Sequence, residues 1–171
     1  MTLLILSDSH GSPDRVAEAI RRVKPDGILF AGDGLRDLTH CHIPCPLWAV
    51  RGNCDWLTSP LILDGSVLEP EEEELIVLDG LRILLLHGHK YAVKGGLGTA
   101  IRHAALQEAD ALIFGHTHIP LELHLSPDGD CGFTVNRPLT VFNPGSLGDR
   151  SASFGTLTIR DGRPLFGHGY I

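Results

Sequence analysis

The side chains of this sequence that are equipped for chemistry sit in short polar blocks, each directly behind an apolar run. Asp8-Ser9-His10 follows the run at 2–7, Gly32-Asp33 follows 28–31, and Gly52-Asn53-Cys54-Asp55 follows 47–50. His87-Gly88-His89 follows 81–86, and Gly115-His116-Thr117-His118 follows 111–114. Turn formation explains any one of these blocks, since Gly, Asn and Asp are ordinary loop residues. It does not readily explain all of them together with the histidines, which number ten in 171 residues. Asp8, His10, Asp33, Asn53, His87, His116 and His118 form a mixed carboxylate and imidazole donor set. Such a set suits Mn, Fe, Ni or Zn better than Ca or Mg, which prefer oxygen ligands throughout. Two divalent ions carry four positive charges, against which Asp8 and Asp33 set two negative ones. A hydroxide and one phosphodiester monoanion would neutralise the remainder, which is the demand of a two-metal phosphoester hydrolase.

The apolar runs are too short for helices and read as strands buried on both faces. In extended chain, residues at i and i+2 face the same side, so Asp8 with His10, and His116 with His118, are expected to project together from strand ends. Ser12-Pro13 caps and starts a helix reaching Val23, with Val16, Ala19, Ile20 and Val23 at helical spacing. A following strand at 28–31 makes a parallel pair with a right-handed crossover. Runs at 75–78 and 81–86 flank Asp79-Gly80, a strong hairpin signal. Gly95-Gly96-Leu97-Gly98 leads into a helix over 99–108; without a P-loop lysine pattern, these glycines read as a flexible loop. Runs at 121–125, 133–135, 139–142, 154–159 and 165–169, separated by the Pro127-Asp128-Gly129 and Asp161-Gly162 turns, predict a second, mainly antiparallel sheet. Asn143-Pro144-Gly145-Ser146 is a tight turn beside the site or simply a turn.

The length fits a single domain over 1–171, and no repeat period or low-complexity linker divides it. The net charge of −7, with an acidic run at 69–74, argues against a surface built to neutralise nucleic-acid phosphates; a nucleic-acid substrate would need a local basic patch. The sequence shows no signal peptide and no apolar run of bilayer length, so a soluble cytoplasmic protein is expected. Cys41, Cys45, Cys54 and Cys131 give no dense disulfide framework. The cluster His40-Cys41-His42-Ile43-Pro44-Cys45 is too crowded for a zinc site and lacks a second spaced pair.

Taken in order, Asp8-Ser9-His10, Gly32-Asp33, Gly52-Asn53-Cys54-Asp55, His87-Gly88-His89 and Gly115-His116-Thr117-His118 resemble the motifs of the calcineurin-like metallophosphoesterase superfamily. The short chain, the Gly-Asn-Cys-Asp variant and Asn143-Pro144-Gly145-Ser146 resemble more closely its small bacterial and archaeal YfcE-type phosphodiesterases. The resemblance spans Asp8 to Ser146 and implies an α/β (α+β) fold, a two-sheet β-sandwich flanked by helices with metals between the sheets. It implies a first metal on Asp8, His10, Asp33 and His118, with Asp33 bridging to a second on Asn53, His87 and His116. It further implies a small-molecule phosphodiester as substrate, in-line attack by a metal-bridging hydroxide, Mn as cofactor with Ni, Zn or Fe as alternatives, and a homo-oligomeric state.

Larger members of the superfamily have histidine directly after the asparagine, where this chain has Cys54. A thiol is a weak donor. General-acid help is worth about 10²- to 10⁴-fold, so its loss favours substrates with good leaving groups. Cys54, Asp55 and His89 are the candidates to fill that role, and Asp55 and His89 read equally as structural loop residues. Two alternatives stand beside the phosphodiesterase: a phosphomonoesterase or nuclease, and a metal-free scaffold like the retromer's phosphoesterase-like subunit. That scaffold has lost histidines from its metal motifs, whereas every ligand position is filled here.

Overall fold

The apolar runs become strands covered on both faces because two sheets stack on each other and helices cover their outer sides. In the computed structural model, residues 1–56, 60–63, 65–129, 132–160 and 162–171 are described; Cys131 and Asp161 of the expected turn lie outside them. The first half of the chain runs β1 (Thr2–Leu6), α1 (Pro13–Val23), β2 (Gly27–Phe30), α2 (Leu35–Leu38), β3 (Leu47–Ala49), β4 (Leu61–Leu63), β5 (Ser66–Leu68), β6 (Glu73–Leu78) and β7 (Leu81–Leu86). A 3-10 turn at His89–Tyr91, α3 (Gly98–Leu106), β8 (Ala111–Ile113), β9 (Leu121–Leu125), β10 (Leu139–Asn143), β11 (Ser153–Arg160) and β12 (Arg163–Tyr170) complete it. One sheet has the order β12-β11-β1-β2-β3, the other β6-β7-β8-β10-β9, and β4 with β5 forms a separate hairpin.

Alternation along the strands builds four layers. Leu3 and Ile5 of β1 meet Ile83 and Leu85 of β7 and Phe142 of β10 in the cluster between the sheets. Leu4 and Leu6 point the other way, onto Val16, Ala19 and Ile20 of α1 and Leu35 and Leu38 of α2. Leu84 and Leu86 mirror them on the far side, under Ala100, Ile101 and Ala104 of α3. Each strand therefore reads as continuously apolar, and truncating one such side chain to alanine costs about 2–5 kcal/mol.

The expected hairpin forms as written, with Leu78 opposite Leu81 and Asp79-Gly80 both at positive φ in the turn. Pro13 opens α1, but Ser12 makes no side-chain cap; the backbone N–H of Ser12 donates instead to Asp37. The expectation of a separate C-terminal sheet is corrected. β11 pairs antiparallel with β1, and β12 pairs with β11, so both complete the first sheet. Period-2 alternation defines a buried face without saying which sheet supplies it. Residues 133–135 form no strand; Val135 instead packs its side chain into the α3-side cluster. Among the described residues no helix is long and apolar enough to cross a membrane.

What positions the site is direction. β1, β2 and β3 run parallel to one another in the first sheet, and β7, β8 and β10 do so in the second. The polar blocks that follow β1, β2, β7 and β8 are thereby delivered from the carboxyl ends of strands in both sheets, where α/β sheets bind ligands.

Candidate metal centre

The donors converge in overlapping groups. Ligand atoms of Asp8, His10 and His118 lie within 4.8 Å of one another, as do those of Asp33, His87 and His116, and those of His10, Asp33 and Cys54. In the first group, Asp8 Oδ1 is 3.6 Å from His10 Nε2 and 3.2 Å from His118 Nε2, and the two Nε2 atoms are 3.3 Å apart. In the second, His87 Nε2 lies 3.3 Å from Asp33 Oδ2, 3.2 Å from His116 Nδ1 and 3.2 Å from Asn53 Oδ1. Asp33 belongs to two groups and so stands between the Asp8 and His87 sides of the cluster.

The way the donors arrive differs from the expected one. Asp8, His10, Asp33, His116 and His118 have φ values of 52°, 43°, 56°, 66° and 63°. These are left-handed conformations past the strand ends, not extended chain, and non-glycine residues hold them only where the surroundings over-determine them. The i, i+2 rule therefore fails. His116 and His118 do not project together: His118 joins Asp8 and His10, while His116 joins Asp33 and His87.

The surroundings aim these donors. Asp8 Oδ2 accepts hydrogen bonds from Ser7 Oγ at 2.5 Å and from the His116 backbone N–H at 3.0 Å. Its Oδ1 is buried with no hydrogen-bond partner and faces the two imidazoles. His87 Nδ1–H donates to the Ala31 carbonyl at 2.7 Å, which leaves Nε2 as the atom turned to the cluster. His118 Nδ1 makes the equivalent contact to Asp149 Oδ2 at 3.1 Å. Gly115 is required here because a Cβ would run into Ser7 Oγ and Asp8 Oδ2.

Electrostatics also favour cations. Burial opposes charging of His87, yet Asp33 and Asp8 outweigh it and raise its pKa; His10 is raised chiefly by the Asp8 carboxylate beside it. Asp33 is held well below the usual carboxylate range, the bonds from His87 and the Cys54 backbone N–H outweighing its burial. Burial and the charges of His87 and Lys94 lower His116 to about 4, leaving that ring neutral with a lone pair to give. An unpaired buried carboxylate oxygen, converging imidazole nitrogens and a mixed O/N donor set fit divalent transition metals.

Asp55, named above with Cys54 and His89 as a candidate for the acid role, is a hydrogen-bond acceptor in the loop after β3. It is buried, and its two oxygens accept backbone N–H bonds from Asp33 (2.7 Å), Gly52 (3.0 Å), Gly34 (3.0 Å) and Leu35 (3.0 Å). These bonds fasten the β3 loop to the β2 loop. Cys54 is exposed, its backbone N–H donates to Asp33 Oδ1 at 2.7 Å, and Asn53 Nδ2 donates to its Sγ at 3.2 Å. Partial desolvation, then the hydrogen bond to and charge of Asp33, push its thiol up to about 11. His89 packs near His87 and His116, with Nε2 3.6 Å from Glu72.

The tight turn at 143–146 is more than a turn. Asn143 Nδ2 donates to the Gly115 carbonyl at 2.8 Å and to Thr117 Oγ1 at 3.1 Å, and Ser146 Oγ donates to the Asp8 carbonyl at 2.9 Å. Asp37 and Asp149 were not legible as site residues. Asp37 Oδ2 accepts from Ser9 Oγ at 2.5 Å and from the Gly11 N–H at 2.9 Å, tying down the Asp8-Ser9-His10 loop. Cys41 donates its thiol to the Pro13 and Asp37 carbonyls, as a structural residue would.

A four-layer α/β sandwich with a carboxylate and histidine cluster where parallel strands of both sheets end defines the metallophosphoesterase class. The chain belongs to the calcineurin-like phosphoesterase superfamily, whose domain model matches residues 1–162. It is 28% identical over 180 residues to Phosphodiesterase YfcE of Escherichia coli (strain K12), the match covering 92% of this chain and 87% of that one. Among solved structures, a conserved protein of Streptococcus pneumoniae TIGR4 described as a predicted phosphoesterase superposes with a TM-score of 0.71 at 22% identity, covering 98% of this chain and 87% of that one. Vacuolar Protein Sorting 29 of Cryptosporidium parvum superposes with a TM-score of 0.68 at 18% identity, covering 99% and 97%. At such identities the structural likenesses carry the fold alone.

Proposed function

We propose that the chain is a dinuclear metal-dependent phosphodiesterase acting on small phosphate diesters in the cytoplasm as a single domain. One observation carries this reading: the donor groups form a chain, Asp8-His10-His118 joined through His10 to His10-Asp33-Cys54, and that one joined through Asp33 to Asp33-His87-His116. Asp8, His10, Asp33 and His118 would hold one ion, and Asp33, Asn53, His87 and His116 the other, with Mn as the working metal and Ni, Zn or Fe as alternatives. Divalent ions bound there supply Lewis acidity toward the phosphoryl oxygens and toward a water nucleophile.

The chain's own residues do the rest. His87 and His118 are oriented through Ala31 and Asp149, so Nε2 of each ring is the atom turned to the cluster. Asp55 and Ser146 hold the loops that carry Asp33 and Asp8. Cys54 stays protonated at neutral pH and offers only a weak S–H donor near the shared carboxylate. A site with this weak donor in place of an imidazole works best on esters whose leaving groups need no protonation. The net charge of −7 disfavours a nucleic-acid substrate.

The test is hydrolysis of bis(4-nitrophenyl) phosphate and of 4-nitrophenyl phosphate by metal-stripped protein titrated with Mn, Ni, Zn and Mg. Metal-dependent cleavage of the diester over the monoester is expected. Folded protein that turns over neither ester with any metal overturns the reading.

A further inference from the structure

Beside the metal-ligand candidates lies a mainly apolar cavity of about 410 Å³ that the donor cluster does not use, lined by Val93, Lys94, Leu97, Phe114, Thr117, Ile119 and Leu121. Its size falls within the range of small-molecule sites, about 300–1,000 Å³. Its wall is continuous with the centre. Thr117 stands between His116 and His118, and Phe114 is the last residue before the Gly115-His116 turn. The ring of Phe114 is buried and Val93 nearly so, while Ile119 is 68% exposed and forms an apolar rim. Lys94 is the one charged residue of the lining, which it shares with Thr117, the residue between His116 and His118. Neither an ion pair nor a hydrogen bond engages its ammonium group among the described residues.

An apolar hollow with a single cation at its mouth, opening beside a centre that demands an anion, is matched to a molecule of the same layout. We propose that this cavity receives one apolar, ring-sized ester group of a phosphodiester monoanion, with Lys94 steering the phosphate toward the donor cluster. The proposal rests on the phosphodiesterase reading and adds a substrate class to it: amphiphilic diesters with one uncharged apolar arm. Diesters whose arms are both small or both charged leave the cavity filled with water and forgo the burial of apolar surface, the source of the selectivity.

Binding and turnover test it separately. Binding is measured calorimetrically with two non-hydrolysed monoanions of equal charge, phenyl methylphosphonate and methyl methylphosphonate, on metal-loaded protein. The phenyl ester is expected to bind about tenfold tighter, a difference of ~1.4 kcal/mol. Leu97→Trp, which fills the cavity, and Ile119→Ser, which removes its exposed rim, reduce that ratio toward one and leave the methyl ester's affinity unchanged. Lys94→Met weakens both esters alike, because it removes charge and no aryl contact; no change in either overturns the steering role. Turnover is measured on phenyl and methyl 4-nitrophenyl phosphate, which share a leaving group, and kcat/KM is expected to follow the same roughly tenfold order. Equal binding of the two phosphonates, or a phenyl preference that survives both cavity variants, overturns the inference while metal-dependent turnover of the methyl ester leaves the phosphodiesterase reading standing. Phenyl-selective binding without any turnover separates the two in the other direction, overturning the activity and keeping the pocket.

Discussion

Replacing Asp55 by asparagine separates a positioning carboxylate from a proton donor. Oδ2 of Asp55 accepts the backbone N–H groups of Asp33 and Gly52 at 2.7 and 3.0 Å, and Oδ1 those of Gly34 and Leu35, both at 3.0 Å. The asparagine side chain retains one acceptor oxygen and must turn an NH₂ group toward the other pair of amides, donor against donor. Two hydrogen bonds to a charged acceptor are lost, each worth about 1.5–3 kcal/mol, so Asp55→Asn costs about 3–6 kcal/mol of stability. With a urea m-value of about 2 kcal/mol per M, the unfolding midpoint of metal-free protein falls by about 1.5–3 M, followed by circular dichroism. Because the amides belong to the loop that carries Asp33, metal affinity measured by calorimetry falls with it. If Asp55 were instead the acid for the leaving group, the midpoint would stay put and only turnover would drop; that result refutes the reasoning.

Asn53→Ala and His116→Ala remove donors rather than core contacts, so each is expected to cripple turnover and weaken uptake of one metal equivalent while shifting the melting midpoint little. Asp149→Ala deletes the partner of His118 Nδ1, and metal affinity by calorimetry should fall about 10- to 100-fold; an unchanged affinity would mean that the contact orients nothing. The raised pKa of Cys54 sets a pH dependence whose sign is fixed, because the thiolate is the reactive form. At pH 8 alkylation of Cys54 in metal-free protein, read by peptide mass spectrometry, should run about 100-fold slower than for an ordinary thiol and climb with pH until near 11.

Local patterning made much of this fold legible. The runs at 2–7, 28–31 and 81–86 read as doubly covered strands because Leu3 and Ile5 face the second sheet while Leu4 and Leu6 face α1. The Asp79-Gly80 turn and Pro13 at the start of α1 were equally local signals. The partners of β11 and β12 were not legible, since the register of Leu3 with Leu157 depends on contacts across the whole chain. Donor identities were visible as types and spacing; their grouping followed from the family resemblance and not from spacing, because positive φ at His116 and His118 sends neighbouring imidazoles to different sides of the cluster. Residues that brace the donors were hidden for a similar reason. Asp37 lies 28 positions from the Ser9 it holds, and Asp149 lies 31 from His118. Nothing in their immediate sequence distinguishes them from turn carboxylates.

The central claim is a pair of ions sharing Asp33, and the measurement that bears on it most directly is metal stoichiometry against turnover. Metal-stripped protein is titrated with Mn²⁺ while bis(4-nitrophenyl) phosphate hydrolysis and bound metal are followed in the same samples. Activity should rise only as the second equivalent binds, and Asp33→Asn should abolish both the second binding event and turnover. Full activity at one equivalent, or an Asp33→Asn protein that still binds two and hydrolyses the diester, would contradict the account.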